Sequence, residues 1–84
     1  MQNQKESNQI QELTLLLLSL TSWTEKIAGV ELRRAWKGYD FDVLDQFYEE
    51  GLVSGSRKAK SVCLTEAGIA KAEELARKYL KNAS

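Results

Sequence analysis

The chain has 84 residues, twelve Lys and Arg against twelve Asp and Glu, one cysteine and no histidine. That length makes one domain and buries only about 60–65% of the unfolded surface, so the stability margin is thin. A lone Cys63 excludes an intrachain disulfide and, without histidine, a zinc site; the neutral balance gives no global attraction for nucleic acid or anionic membrane. No cofactor or metal is implied, and a partner subunit is the support left open for so small a fold.

Residues 1–7 are polar and are expected to be a disordered tail, with a single domain over residues 8–81. Ser7 or Asn8 has cap chemistry, with Gln11 three residues after Asn8 as in a capping box. From Ile10 the apolar residues Ile10, Leu13, Leu17 and Leu20 fall on one helical stripe with Leu16 beside it, and Leu15 and Leu18 widen the arc. A helix apolar over more than one face is buried on more than one side, which predicts a homodimer through this first helix, the alternative being that the hairpin and the last helix cover it all. The first ten residues show no secretory pattern and no apolar run reaches the ~20 residues of a membrane span, so a cytoplasmic protein without membrane contact is expected.

Trp23 is expected to fold back onto the first helix. Thr24 has cap chemistry with Glu25 in the first turn, and Ile27, Ala28, Leu32, Ala35 and Trp36 fit helical spacing, so a helix is expected within residues 24–36. Gly29 and Val30 weaken it, and a short strand across Arg33 to Lys37, able to pair with a later hairpin, is the competing reading. Lys37-Gly38-Tyr39 reads as a turn and Asp40 as the cap of a helix over Phe41 to Glu50, with Val43, Leu44, Phe47 and Tyr48 on one face and Gly51 as its stop. Leu52-Val53 begins a strand, and Gly55-Ser56 bends it. Arg57, Lys58 and Lys60 crowd the tip, and Val62 and Leu64 alternate inward while Ser61 and Cys63 face away. Thr65 caps a last helix in which Ile69, Ala72, Leu75, Ala76 and Tyr79 recur at buried spacing; Asn82 to Ser84 should be loose.

Helix, hairpin with a basic tip, then helix is how a winged helix-turn-helix domain ends. The fold expected is α+β and winged-helix-like, with three to four helices and a small antiparallel β-hairpin as the wing. The run Leu44 to Val53, ending Gly-Leu-Val, resembles the close of the third helix in winged-helix regulators, and Val62-Cys63-Leu64-Thr65-Glu66-Ala67-Gly68 resembles their second wing strand and following helix. Over residues 34–68 the chain also resembles a family of small bacterial proteins of unknown function: Arg34-Ala35-Trp36-Lys37-Gly38-Tyr39-Asp40-Phe41-Asp42, then Lys58-Ala59-Lys60-Ser61-Val62-Cys63-Leu64-Thr65-Glu66. That resemblance implies a fold and brings no activity.

An enzyme is not expected. The common nucleophile–base pairs need a histidine, Cys63 sits mid-strand as a small filler, and Asp40 and Asp42 are accounted for by helix capping. DNA binding is tested by charge: residues 38–50, in the place of a reading helix, carry five acids and no base, whereas phosphate contacts need cations or donors. The leading expectation is a non-catalytic interaction module, self-associating and binding a protein partner through Trp36, Tyr39, Asp42, Asp45, Arg57, Lys58 and Lys60. The alternative is a small DNA-binding regulator contacting the nucleic-acid backbone through Arg33, Arg34, Lys37, Arg57, Lys58 and Lys60, if these six share a face.

Overall fold

The computed structural model describes residues 4–80, and the side chains of residues 8–80. The elements run α1 (Gln4–Leu20), β1 (Trp23–Ile27), β2 (Val30–Trp36), α2 (Phe41–Glu49), β3 (Val53–Ser54), β4 (Ser61–Leu64) and α3 (Glu66–Tyr79). The strands form one antiparallel sheet in the order β1-β2-β4-β3. Three helices with this sheet make an α+β fold compatible with a winged-helix-like arrangement. The short helix, the wing and the closing helix stand where the sequence put them. Part of the tail expected over residues 1–7, and residues 82–84, lie outside the described residues. Ser7 and Asn8 fall inside α1, which starts at Gln4, rather than at its cap.

The helix expected within residues 24–36 is instead a β-hairpin, β1–β2. Its two-residue turn is Ala28-Gly29, with both residues in the left-handed region (φ 52° and 81°) and Ile27 opposite Val30. A turn of that hand matches the twist of the flanking strands, so Gly29 closes a hairpin here instead of merely weakening a helix. Thr24 is a strand residue opposite Arg33. Trp23 does not fold back onto α1; its ring packs against Trp36, centroids 4.9 Å apart, across the hairpin. The competing strand reading holds: β2 pairs with β4 from Arg33–Leu64 to Trp36–Ser61, and the Lys37 amide continues the ladder by donating to the Lys60 carbonyl at 2.8 Å.

Period-two alternation decides what the sheet buries. Ala35, Val62, Leu64 and Val53 face the helices and are buried, together with Leu44 and Phe47 of α2, Ala72 and Leu75 of α3, and Leu15, Leu16 and Leu18 of α1. Each fully buried Leu, Val or Phe contributes about 1.5–3 kcal/mol. The stripe read first in the sequence, Ile10, Leu13, Leu17 and Leu20, is not the buried one. At 100° per residue it lies opposite Leu15 and Leu18, and it is exposed.

Local chemistry sets the junctions. Gly51 (φ 75°) ends α2, its N–H donating to the Tyr48 carbonyl and the Leu52 N–H to the Phe47 carbonyl, the paired bonds of a glycine C-cap. Thr65 caps α3: its hydroxyl accepts from the Gly68 amide (3.0 Å) and donates to the Gly51 carbonyl (2.6 Å). Gly68 is buried against the backbone of Leu52, and a Cβ there would enter the envelope of the Leu52 carbonyl oxygen. Gly68→Ala should therefore destabilise the domain by about 3 kcal/mol, the upper range for overpacking, read from denaturant midpoints, while Ala67→Ser at the exposed neighbour leaves the midpoint unchanged.

α1 and α3 are pinned by Glu12, whose Oε1 accepts from the Tyr79 hydroxyl (2.6 Å) and from Lys78 Nζ (3.0 Å). The Tyr79 hydrogen bond first, then that of Lys78, holds the Glu12 carboxyl below its ordinary value of 4.5, and the same carboxylate raises both partners. A depressed acid stabilises the fold above its ordinary value and loses that contribution as pH falls through the depressed one; the raised partners contribute below their ordinary values and lose it in alkali. Glu12→Gln should flatten both limbs of the stability–pH curve, below about pH 4.5 and above about pH 10.

Candidate interaction surface

The surface forms where the β2–α2 corner meets the wing. Asp40 caps α2, its Oδ1 accepting from the Asp42 amide at 2.8 Å, and this fixes Phe41 at the helix start. The wing bends at Gly55 (φ 110°), and the Lys58 amide donates to Ser56 Oγ. Contacts from Lys37 and Arg57 then seat the tip. Lys37 Nζ donates to the carbonyls of Ser56 (3.2 Å) and Arg57 (2.9 Å). Arg57 pairs with Asp45 of α2. The Arg57 guanidinium also lies 4.4 Å from the Tyr48 ring centroid, with Lys37 Nζ at 5.8 Å.

A groove of about 600 Å³ runs between corner and wing, lined by Trp36, Tyr39, Phe41, Arg57, Lys58 and Lys60 among others. Five of the seven expected interaction residues meet there. The other two, Asp42 and Asp45, lie outside the lining: Asp42 follows Phe41 in the first turn of α2, and Asp45 is held by Arg57. Phe41, absent from that expected set, is 78% exposed, and Trp36 is 63% exposed. Phe41 stands outside the apolar face of Val43, Leu44, Phe47 and Tyr48, at the first residue of α2.

The six cations of the nucleic-acid alternative do not form one face. In the β2–β4 register Arg33 sits opposite Leu64 and Arg34 opposite Cys63, so the two point to opposite sides of the sheet. Arg33 Nε donates to Ser22 Oγ at 2.9 Å. Arg34 donates to Ser61 Oγ (2.6 Å) and Cys63 Sγ (3.3 Å) and lies 3.9 Å from Glu25. With Lys37 on wing carbonyls and Arg57 on Asp45, only Lys58 and Lys60 of the six make neither an ion pair nor a side-chain hydrogen bond among the described residues. Asp40, Asp42, Asp45, Glu49 and Glu50 all face outward. The element before α2 is a strand, so α2 lacks the helix that would complete a helix-turn-helix pair. Among the described residues no group of three or more acids and cysteine is placed to hold a metal, and no helix is long and apolar enough to cross a membrane.

Fold and surface define a small α+β domain in which a basic wing is docked on an acidic helix. The chain belongs to the family described as Domain of unknown function (DUF6429), which matches residues 6–82. It is 36% identical over 74 residues to the uncharacterized protein y4hR of Sinorhizobium fredii (strain NBRC 101917 / NGR234), covering 87% of this chain and 90% of that protein. No solved structure matches. The resemblance to a small bacterial family of unknown function, read from residues 34–68, is thereby borne out.

Tyr48 sits beneath the seated wing with its hydroxyl buried and without a hydrogen-bond partner. Tyr48→Phe removes that group and keeps the ring, so it should raise stability by about 1 kcal/mol, measured by thermal denaturation.

Proposed function

We propose that this protein is a non-catalytic interaction module that self-associates through α1 and binds a protein partner through the corner–wing surface. The observation that carries the reading is the outer stripe of α1. Ile10, Leu13, Leu17 and Leu20, between 43% and 59% exposed, follow the 3-4-3 spacing of a two-helix seam. Thr14 and Thr21 flank that stripe, and their hydroxyls donate back to the carbonyls of Ile10 and Leu17, so both hydroxyls are satisfied within the helix. Gln9, Thr14 and Thr21 add no charge beside these four residues, and Glu6, one turn before Ile10, is the charged position on the same stripe. A domain with so small a core gains most from covering such a face. Cys63 supports the non-catalytic reading, since its Sγ meets Arg34 and no base among the described residues. A single unpaired thiol suits a reducing compartment, and the cytoplasm is the location we propose.

A second reading, backbone binding of DNA by the wing, is favoured by Lys58 and Lys60, which are unpaired among the described residues, and opposed by the outward acids of α2. Analytical ultracentrifugation tests the first. The wild type should sediment as a dimer and Leu13→Glu/Leu17→Glu as a folded monomer, because both side chains lie outside the core. A wild type monomeric at every concentration would sink the α1 seam. A low-salt gel shift lost on Arg57→Ala/Lys58→Ala would favour the second.

A further inference from the structure

We infer that the corner–wing groove receives an acidic peptide segment with an apolar anchor side chain. This rests on the partner-binding reading above and names the chemistry of the partner. Trp36 and Phe41 are the most exposed large apolar side chains described, and both line the groove. Aromatic residues left this open gain most from an apolar side chain laid between them. A volume of about 600 Å³ accommodates one such anchor with its adjoining backbone.

Charge selects the rest of the ligand. Of the four cations at the groove, Lys37 is held by wing carbonyls and Arg57 by Asp45, so Lys58 and Lys60 carry the ammonium groups that have no partner among the described residues. They repel a cation from the aromatic walls and attract carboxylates. A nucleic acid is a poorer occupant. Its phosphates recur at every nucleotide, and the outward carboxylates of Asp40 and Asp42 on the adjoining helix oppose them. A peptide can place acids beside Lys58 and Lys60 and neutral residues along α2. The site is also fixed in advance: the Lys37 amide and ammonium and the Arg57–Asp45 pair hold the wing to the corner, so little ordering opposes binding.

The test is a titration of the isotope-labelled full chain with the capped peptide Glu-Glu-Phe-Leu-Glu-Glu, followed by amide chemical shifts. Saturable shifts confined to residues 36–41 and 57–60 are expected. Lys58→Glu/Lys60→Glu should weaken binding about tenfold or more, and Phe41→Ala should do likewise. All three side chains are exposed, and circular dichroism verifies that the variants fold. The inference is overturned by no shift up to about 1 mM peptide, by equal binding of the peptide with Lys in place of Glu, or by tighter binding of a short oligothymidylate. It is overturned also by the same shifts arising from protein concentration alone, which would make a second copy's α2 the occupant. Sedimentation of the same samples separates the two ideas. Groove shifts in a monomeric chain sink only the α1 seam, and a dimer without groove shifts sinks only the peptide site.

Discussion

The hydroxyl of Thr65 is the point on which the wing half of the domain depends. It accepts from the Gly68 amide and donates to the Gly51 carbonyl, while the Thr65 amide donates to the Leu52 carbonyl at 3.1 Å. One residue therefore starts α3, terminates β4 and ties both to the glycine that ends α2. Gly68 lets the first turn of α3 lie directly on Leu52, a distance that any Cβ would forbid. Helix end, wing base and closing helix cannot move independently, and the hairpin between them has its origin fixed at both strands.

The wing tip is fixed by a different physics. Residues 57–60 are held by charged and polar contacts and by one ring face. Lys37 reaches across to two carbonyls, and Arg57 divides itself between the Asp45 carboxylate and the Tyr48 ring. Both partners of the Arg57–Asp45 pair are more than half exposed, so the pair is worth little by itself. Its effect is geometric: it joins the charges of opposite sign that the sequence puts on α2 and the wing. What remains beside the groove is a pair of lysines and two exposed aromatics, a surface with one sign of free charge and an apolar wall.

α1 shows how a small domain can carry more apolar surface than its core uses. Leu15, Leu16 and Leu18 close the core against the sheet and α3, while a second aliphatic row lies opposite Leu15 and Leu18 on the same helix. The Glu12 clamp to Tyr79 and Lys78 fixes the rotation of α1 against α3, and so fixes which row points outward. The packing of Leu15, Leu16 and Leu18 and this hydrogen-bonded cluster agree on the same rotation.

Residues 40–79 were legible in the sequence because each element there carries its own signal: Asp40 and Thr65 as caps, Gly51 as a stop, Val62 and Leu64 on period two, and Ile69 to Tyr79 on a helical period. The sequence by itself also determined that any helical reading element would be acidic. It did not decide residues 24–36, where helical and strand periods overlap. The pairing of β2 with β4, some thirty residues distant, settled that segment, and the left-handed Ala28-Gly29 turn made the hairpin possible. It could not say which of two leucine rows on α1 is buried, since both satisfy the same spacing and only packing against α3 distinguishes them. Nor could it place the cations: a run such as Arg33-Arg34 reads as one cluster, but a strand sends neighbours to opposite faces, and only the folded sheet separates them.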